Sequence, residues 1–85
     1  MDIRINSITQ VDMGKLTMPQ IAVYRNPEDF PEECVARVFD MGKPTNVIMV
    51  KREIEEISND IIENTKMVFV PRGAEDVLSL VGVWM

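Results

Sequence analysis

Few residues in this chain have side chains that do chemistry. There is no histidine and a single cysteine, Cys34. Neither a histidine general base nor a zinc site of imidazole and thiolate ligands can be assembled within one copy. Cys34 opens an apolar run, Cys34-Val-Ala-Arg-Val-Phe39, with none of the surroundings that activate a thiol, and reads as a buried structural sulfur. The densest carboxylates, Glu28-Asp29 with Glu32-Glu33, lack the alternating Asp/Asn/Gly spacing of a calcium loop. The four glycines, at positions 14, 42, 73 and 82, stand alone, so neither a phosphate-cradling loop nor a dinucleotide fingerprint can be drawn. We therefore expect no catalytic residue, no metal and no cofactor: the chain does not read as an enzyme.

What remains is surface. The segment Glu28-Asp-Phe-Pro-Glu-Glu33 places Phe30 among four carboxylates, Glu28, Asp29, Glu32 and Glu33. That composition suits docking on a basic protein partner, and equally a solvated loop with Phe30 tucked beneath it. Trp84 has two readings as well, a partner or dimer anchor, since large aromatics concentrate binding energy, or the largest core residue of a small protein. The formal charge is -5, from fourteen acids and nine bases. That sign opposes phosphate backbones and anionic membrane surfaces. The bases are scattered, with only Lys51-Arg52 adjacent. A nucleic-acid role is the alternative reading, through a folded patch gathering Arg25, Arg37, Lys43 and Lys51 or through mimicry of DNA by the acids; nucleic acid is not the expected partner.

The elements that must position these groups follow from periodicity. Between Lys51 and Thr65 the apolar residues are Ile54, Ile57, Ile61 and Ile62, spaced as one stripe of an amphipathic helix, with acids crowding its first turns and Asn64 as a left-handed stop. A helix of about twelve residues is marginal alone in water, so the stripe must dock on a sheet. Val47, Met49, Val68 and Val70 supply that surface; if the flanking runs Asn46–Val50 and Met67–Pro71 lie side by side, they are parallel. Residues Asp2 to Ile8 alternate as a half-buried strand, Thr9 to Thr17 read as a loop, and a strand begins just after Pro19 with Ile21 and Val23 on one face and Tyr24 on the other. Cys34–Phe39 fits a helix or a strand; the strand is favoured because Asp40–Thr45 is a natural hairpin link to the next run. Val77–Trp84 is apolar on both faces and should be central in the sheet or covered by a partner chain.

These elements give one small α+β domain over residues 1–85: a mostly antiparallel sheet, in chain order β-β-β-β-α-β-β, with one amphipathic helix on one face. One helix covers one face only. The other must be solvated, covered by residues 9–17, or buried against a second copy, so a homodimer is among the expected states. The opening Met1-Asp-Ile-Arg-Ile-Asn holds no apolar stretch of signal-peptide length, and no run approaches the ~18 apolar residues of a membrane span, so a cytoplasmic protein without membrane contact is expected.

The phrases Gln20-Ile-Ala-Val-Tyr-Arg-Asn-Pro and Lys43-Pro-Thr-Asn46, with the stretch from Tyr24 to Phe39, resemble small uncharacterised proteins of Gram-positive bacteria and their mobile elements. The resemblance spans roughly residues 20 to 71 and implies a bacterial cytosolic accessory protein. It carries no activity and no site residue. The function expected is a non-catalytic protein–protein interaction or regulatory module that docks by its sheet edge or its acidic loop.

Overall fold

The computed structural model describes all residues from Met1 to Met85. Six strands, β1 (Ile3–Ile5), β2 (Pro19–Arg25), β3 (Cys34–Asp40), β4 (Lys43–Lys51), β5 (Phe69–Pro71) and β6 (Leu80–Trp84), form one sheet, with a single helix α1 (Ile54–Asn64) between β4 and β5. The spatial order is β1-β4-β3-β2-β6-β5. The α+β class and the order along the chain agree with the sequence reading, whereas the neighbours in space do not follow chain order.

The centre of the sheet is the antiparallel meander β2-β3-β4. Its second turn has only two residues, Met41 (φ 54) and Gly42 (φ 75), both in the left-handed region that a tight hairpin of this twist requires. Strand β4 therefore starts at Lys43 and takes in Pro44, which the sequence had suggested as loop. In a two-residue hairpin the flanking pair, Asp40 and Lys43, exchanges the hydrogen bonds. Pro44, one step on, points its missing N–H away from β3, and the ladder loses nothing.

Three pairings depart from expectation. β1 leaves the meander and pairs parallel with β4, Ile3 beside Val47 and Ile5 beside Met49. The strands flanking the helix are not side by side, since β3, β2 and β6 lie between β4 and β5. And β5 docks with Phe69 opposite Trp84 and Val70 opposite Val83, so Phe69 and not Val70 faces the helix. Val68 and Val70 are exposed on the other side.

The pleat sorts the core. Ile21, Val23, Cys34, Ala36, Val38, Met49 and Trp84 point to one face and pack with Ile5, Ile8, Ile57 and Ile61. Ile57 and Ile61 are both 0% exposed and Ile54 is half-buried, but Ile62 is 60% exposed. At about 100° per residue Ile62 lies roughly 105° around the helix from the mean direction of the other three, which puts it on the flank of the stripe. The helix also ends differently from the expected left-handed stop. Thr65 is extended (φ -141), its N–H returns to the Ile61 carbonyl, and its Oγ1 donates to the same oxygen at 2.8 Å.

Residues 8–17 contain two short 3-10 turns, Ile8–Gln10 and Met13–Lys15, where the sequence suggested a loop over residues 9–17. Val11, Met13 and Leu16 pack against the helix-side core, so this segment shares the helix's face and leaves the opposite face alone. Asp60 of α1 pins it there, accepting from Ser7 Oγ and from the Ile8 N–H, both at 2.7 Å.

Candidate functional site

On the face away from α1, which we call the open face, the pleat aligns Gln20, Ala22 and Tyr24 of β2, Val35, Arg37 and Phe39 of β3, Ile48 and Val50 of β4, and Leu80 and Val83 of β6. Part of this surface is covered. The loop after β2 is closed on itself by Asn26 (φ 49), whose Nδ2 donates to the Pro31 carbonyl at 2.7 Å and whose N–H donates to the Glu33 carbonyl at 2.9 Å. The closed loop folds Phe30 onto Val35, Ile48 and Val50. Tyr24, Phe39, Leu80 and Val83 stay half-buried around the small Ala22, with no secondary-structure element above them.

Two depressions meet at Tyr24. One, of about 290 Å³, runs between Tyr24, Phe30, Arg37 and the carboxylates Glu28 and Asp29. The other, of about 270 Å³, lies over Ala22 between Phe39, Leu80 and Val83. Together they form a trough along β2 that is apolar over Ala22 and mixed, with an acidic lip, at the Tyr24 end.

Arg37 would offset one of the two carboxylates at that end if it were free, but it is shared with Asp2. Its guanidinium donates to both carboxylate oxygens of Asp2, at 3.0 and 3.2 Å, and to the Thr45 carbonyl at 2.8 Å. The hydrogen bond from Arg37 holds the Asp2 carboxyl below its ordinary value and raises Arg37 further above its own. Arg4, also on this face, pairs with Glu33 at 3.6 Å. Arg72, in register with Val68 and Val70, donates to the Asp76 carbonyl at 2.7 Å. Glu28 and Asp29 are exposed and form no ion pair.

The six residues singled out from the sequence thus separate. Glu28 and Asp29 rim the trough, Phe30 is the tuck of the loop onto the sheet, and Glu33 is partnered by Arg4. Glu32 instead lines a polar depression of about 350 Å³ at the N-terminal end of α1, shared with Arg25, Arg52, Cys34 and Glu53. Trp84 is 6% exposed and belongs to the core; its ring stands 5.2 Å from that of Phe69 at 54°. Gly82 makes room for this pair: a Cβ there would overlap the Phe69 ring and come within 2.6 Å of the Val70 carbonyl oxygen. Of the two readings of Trp84, the structure realises the core one, because Phe69 and Gly82 build its seat. The Trp84 Nε1–H is buried with no acceptor.

The trough itself was the part the sequence reading missed. Its signal was present in the alternation of Gln20, Ala22 and Tyr24 with Ile21 and Val23, and in an arginine between Val35 and Phe39. Which bases would be neutralised depended on Asp2 and Arg37 meeting across 35 positions.

Cys34 lies in a closed setting. Its Sγ donates to the Arg52 carbonyl at 3.7 Å, and burial pushes the thiol up, away from thiolate. The four bases considered as a nucleic-acid patch are dispersed: Arg25 and Lys51 flank Cys34, Lys43 lies at the other end of β3, and Arg37 is on the opposite face.

The sheet edges offer little for strand addition. In β5 the N–H groups of Val68 and Arg72 bond to β6, so those of Met67, Phe69 and Pro71 would point outward. Met67 N–H is taken by Thr65 Oγ1 at 3.2 Å and Pro71 has none, which leaves Phe69. At the other edge β1 is three residues long, and the Asn6 N–H just beyond it is taken by Gln10 Oε1 at 2.6 Å. No helix of the structure is long and apolar enough to cross a membrane. No protein-family model, no curated protein and no solved structure matches the chain.

Proposed function

We propose that this protein is a non-catalytic interaction module that docks another protein on the open face of its sheet. The observation carrying this reading is the trough of half-buried Tyr24, Phe39, Leu80 and Val83 around Ala22, on the one sheet face that neither the helix nor residues 9–17 cover. Contiguous apolar surface held open by a formed sheet is characteristic of a binding surface. The engaged edges favour the face over the edge as the docking element, and the acidic loop contributes the lip of the trough. The module fits the role of a bacterial cytosolic accessory protein that the resemblance of residues 20 to 71 implies.

The test compares affinity capture from lysate of the source cell by the wild-type protein and by a Phe39→Glu/Leu80→Glu variant, with circular dichroism and a thermal melt to verify the fold. A partner retained by the wild type and lost with the variant supports the reading. Identical capture profiles from two folded proteins refute it.

A further inference from the structure

We propose that the partner presents a basic amphipathic helix, which lies in the trough along β2 with its cationic residues at the Glu28–Asp29 lip. This inference rests on the open face being the docking surface and specifies what docks there.

Charge complementarity selects the occupant. Arg37 is paired with Asp2 and Arg4 with Glu33; Arg72, whose guanidinium donates to the Asp76 carbonyl and forms no ion pair, follows β5, two strands away from β2. Glu28 and Asp29 remain exposed and outside any ion pair; Arg37 lines the same depression and feels Asp29, but it is already shared with Asp2, so the carboxylates at this end outnumber the base. An anionic or purely apolar ligand would leave both carboxylates uncompensated next to low-dielectric surface; a cation at that end satisfies them. A second copy fits less well, because it would bring the same Glu28 and Asp29 carboxylates to the face, and its own Arg4 and Arg37 are already paired. Anionic lipid is opposed for the same reason.

Shape selects a helix. From Gln20 to Tyr24 the floor runs ~13 Å, and the lip lengthens it to roughly three helical turns. A strand would gain its affinity from edge hydrogen bonds, which β5 and β1 scarcely offer. A helix needs only an apolar stripe, as α1 already shows on the opposite face with Ile57 and Ile61. Docked there, it would complete a three-layer arrangement of helix, sheet and helix.

The probe is a fluorescein-labelled synthetic 15-residue peptide with leucines at i, i+3, i+4, i+7 and i+11 and lysines on its polar flank. A twin carries glutamates in place of the lysines. Fluorescence polarisation should give at least fivefold tighter binding for the lysine peptide. That preference should fall below twofold in Glu28→Gln/Asp29→Gln and shrink with added salt, as exposed ion pairs do. Amide shifts on binding should map to Ala22, Tyr24, Leu80 and Val83. Equal affinity for the two peptides overturns the charge selection while leaving the docking reading intact. So does failure of both peptides to bind when the Phe39→Glu/Leu80→Glu comparison still captures a face-dependent partner. A concentration-dependent dimer in light scattering, abolished by Leu80→Glu, overturns the inference in favour of a second copy. If the peptides fail, the protein is monomeric and capture is unchanged by the face variant, both readings fall together.

Discussion

Replacing Asp60 by alanine should cost this protein a large share of its stability. Asp60 is the only side chain of α1 that reaches back to the N-terminal segment by hydrogen bonds, accepting from Ser7 Oγ and the Ile8 N–H, each at 2.7 Å. A hydrogen bond to a charged acceptor is worth ~1.5–3 kcal/mol net. Because Asp60 is half-exposed, we reduce this to ~1 kcal/mol each for solvent screening. The alanine variant also strands the N–H of Ile8, a residue 3% exposed, whose desolvation adds a further share. The sum is ~2–3 kcal/mol. At ~0.05–0.15 kcal/mol per residue an 85-residue domain holds ~4–13 kcal/mol in all. A Tm decrease of ~10–20 °C follows for a domain of this size. Urea unfolding followed through Trp84, the one tryptophan and a buried one, measures the change directly. Asp60→Asn should recover about half of the loss. A cycle with Ser7→Ala should give a coupling of ~1 kcal/mol. A loss under ~0.5 kcal/mol for Asp60→Ala would show that the N-terminal segment is held by apolar contact alone, and strict additivity with Ser7→Ala would show that the Ser7 bond contributes nothing.

Three further outcomes are expected. Ile61→Ala should destabilise by ~2–5 kcal/mol because it empties a fully buried site, whereas Ile62→Lys on the exposed flank should stay within ~0.5 kcal/mol; parallel chemical denaturation of the two variants checks the contrast. The Asp2 carboxyl, held below its ordinary value of 3.8 by the Arg37 hydrogen bond, contributes stability that is present above the unfolded-state value and lost as pH falls through the lowered folded one. Its titration by carbonyl NMR should therefore shift up in an Arg37→Gln variant, and an unmoved midpoint would contradict the pairing. Cys34, buried and raised, should react with a thiol reagent at a rate set by opening of the structure, rising steeply in urea; rapid reaction of the native protein at neutral pH would contradict its closed setting.

The helix was legible because isoleucines at 54, 57 and 61 share a period that nothing else in the chain imitates. The same pattern could not say that Ile62 lies at the margin of the stripe, since the width of the buried sector depends on what lies beside the helix. β3 was settled by its neighbours, its own residues being compatible with either conformation. Pairing was the least legible property. A three-residue run such as Ile3–Ile5 pairs with any exposed edge on local grounds, and its parallel place beside β4 follows from where residues 7–16 return under α1. In β5 the choice of Phe69 over Val68 and Val70 as the inward residue turned on Gly82, whose missing side chain makes room for the ring. For the candidate site, the acidic loop could be read from Asn26 to Glu33, but which carboxylates remain free is a tertiary fact, decided at the N-terminal segment, where Arg4 takes Glu33 and Asp2 takes Arg37.

The near absence of outward N–H donors along β5 bears on how the protein behaves when crowded. A molecule keeping an apolar sheet surface uncovered is at risk of stacking into fibrils, which grow by main-chain pairing from strand to strand. With Pro71 lacking a donor and Met67 already spoken for by Thr65, a strand approaching this edge finds a single outward N–H, that of Phe69. An uncovered apolar face and an edge poor in donors thus coexist in one sheet, and the second makes the chain a poor seed for its own polymer through β5.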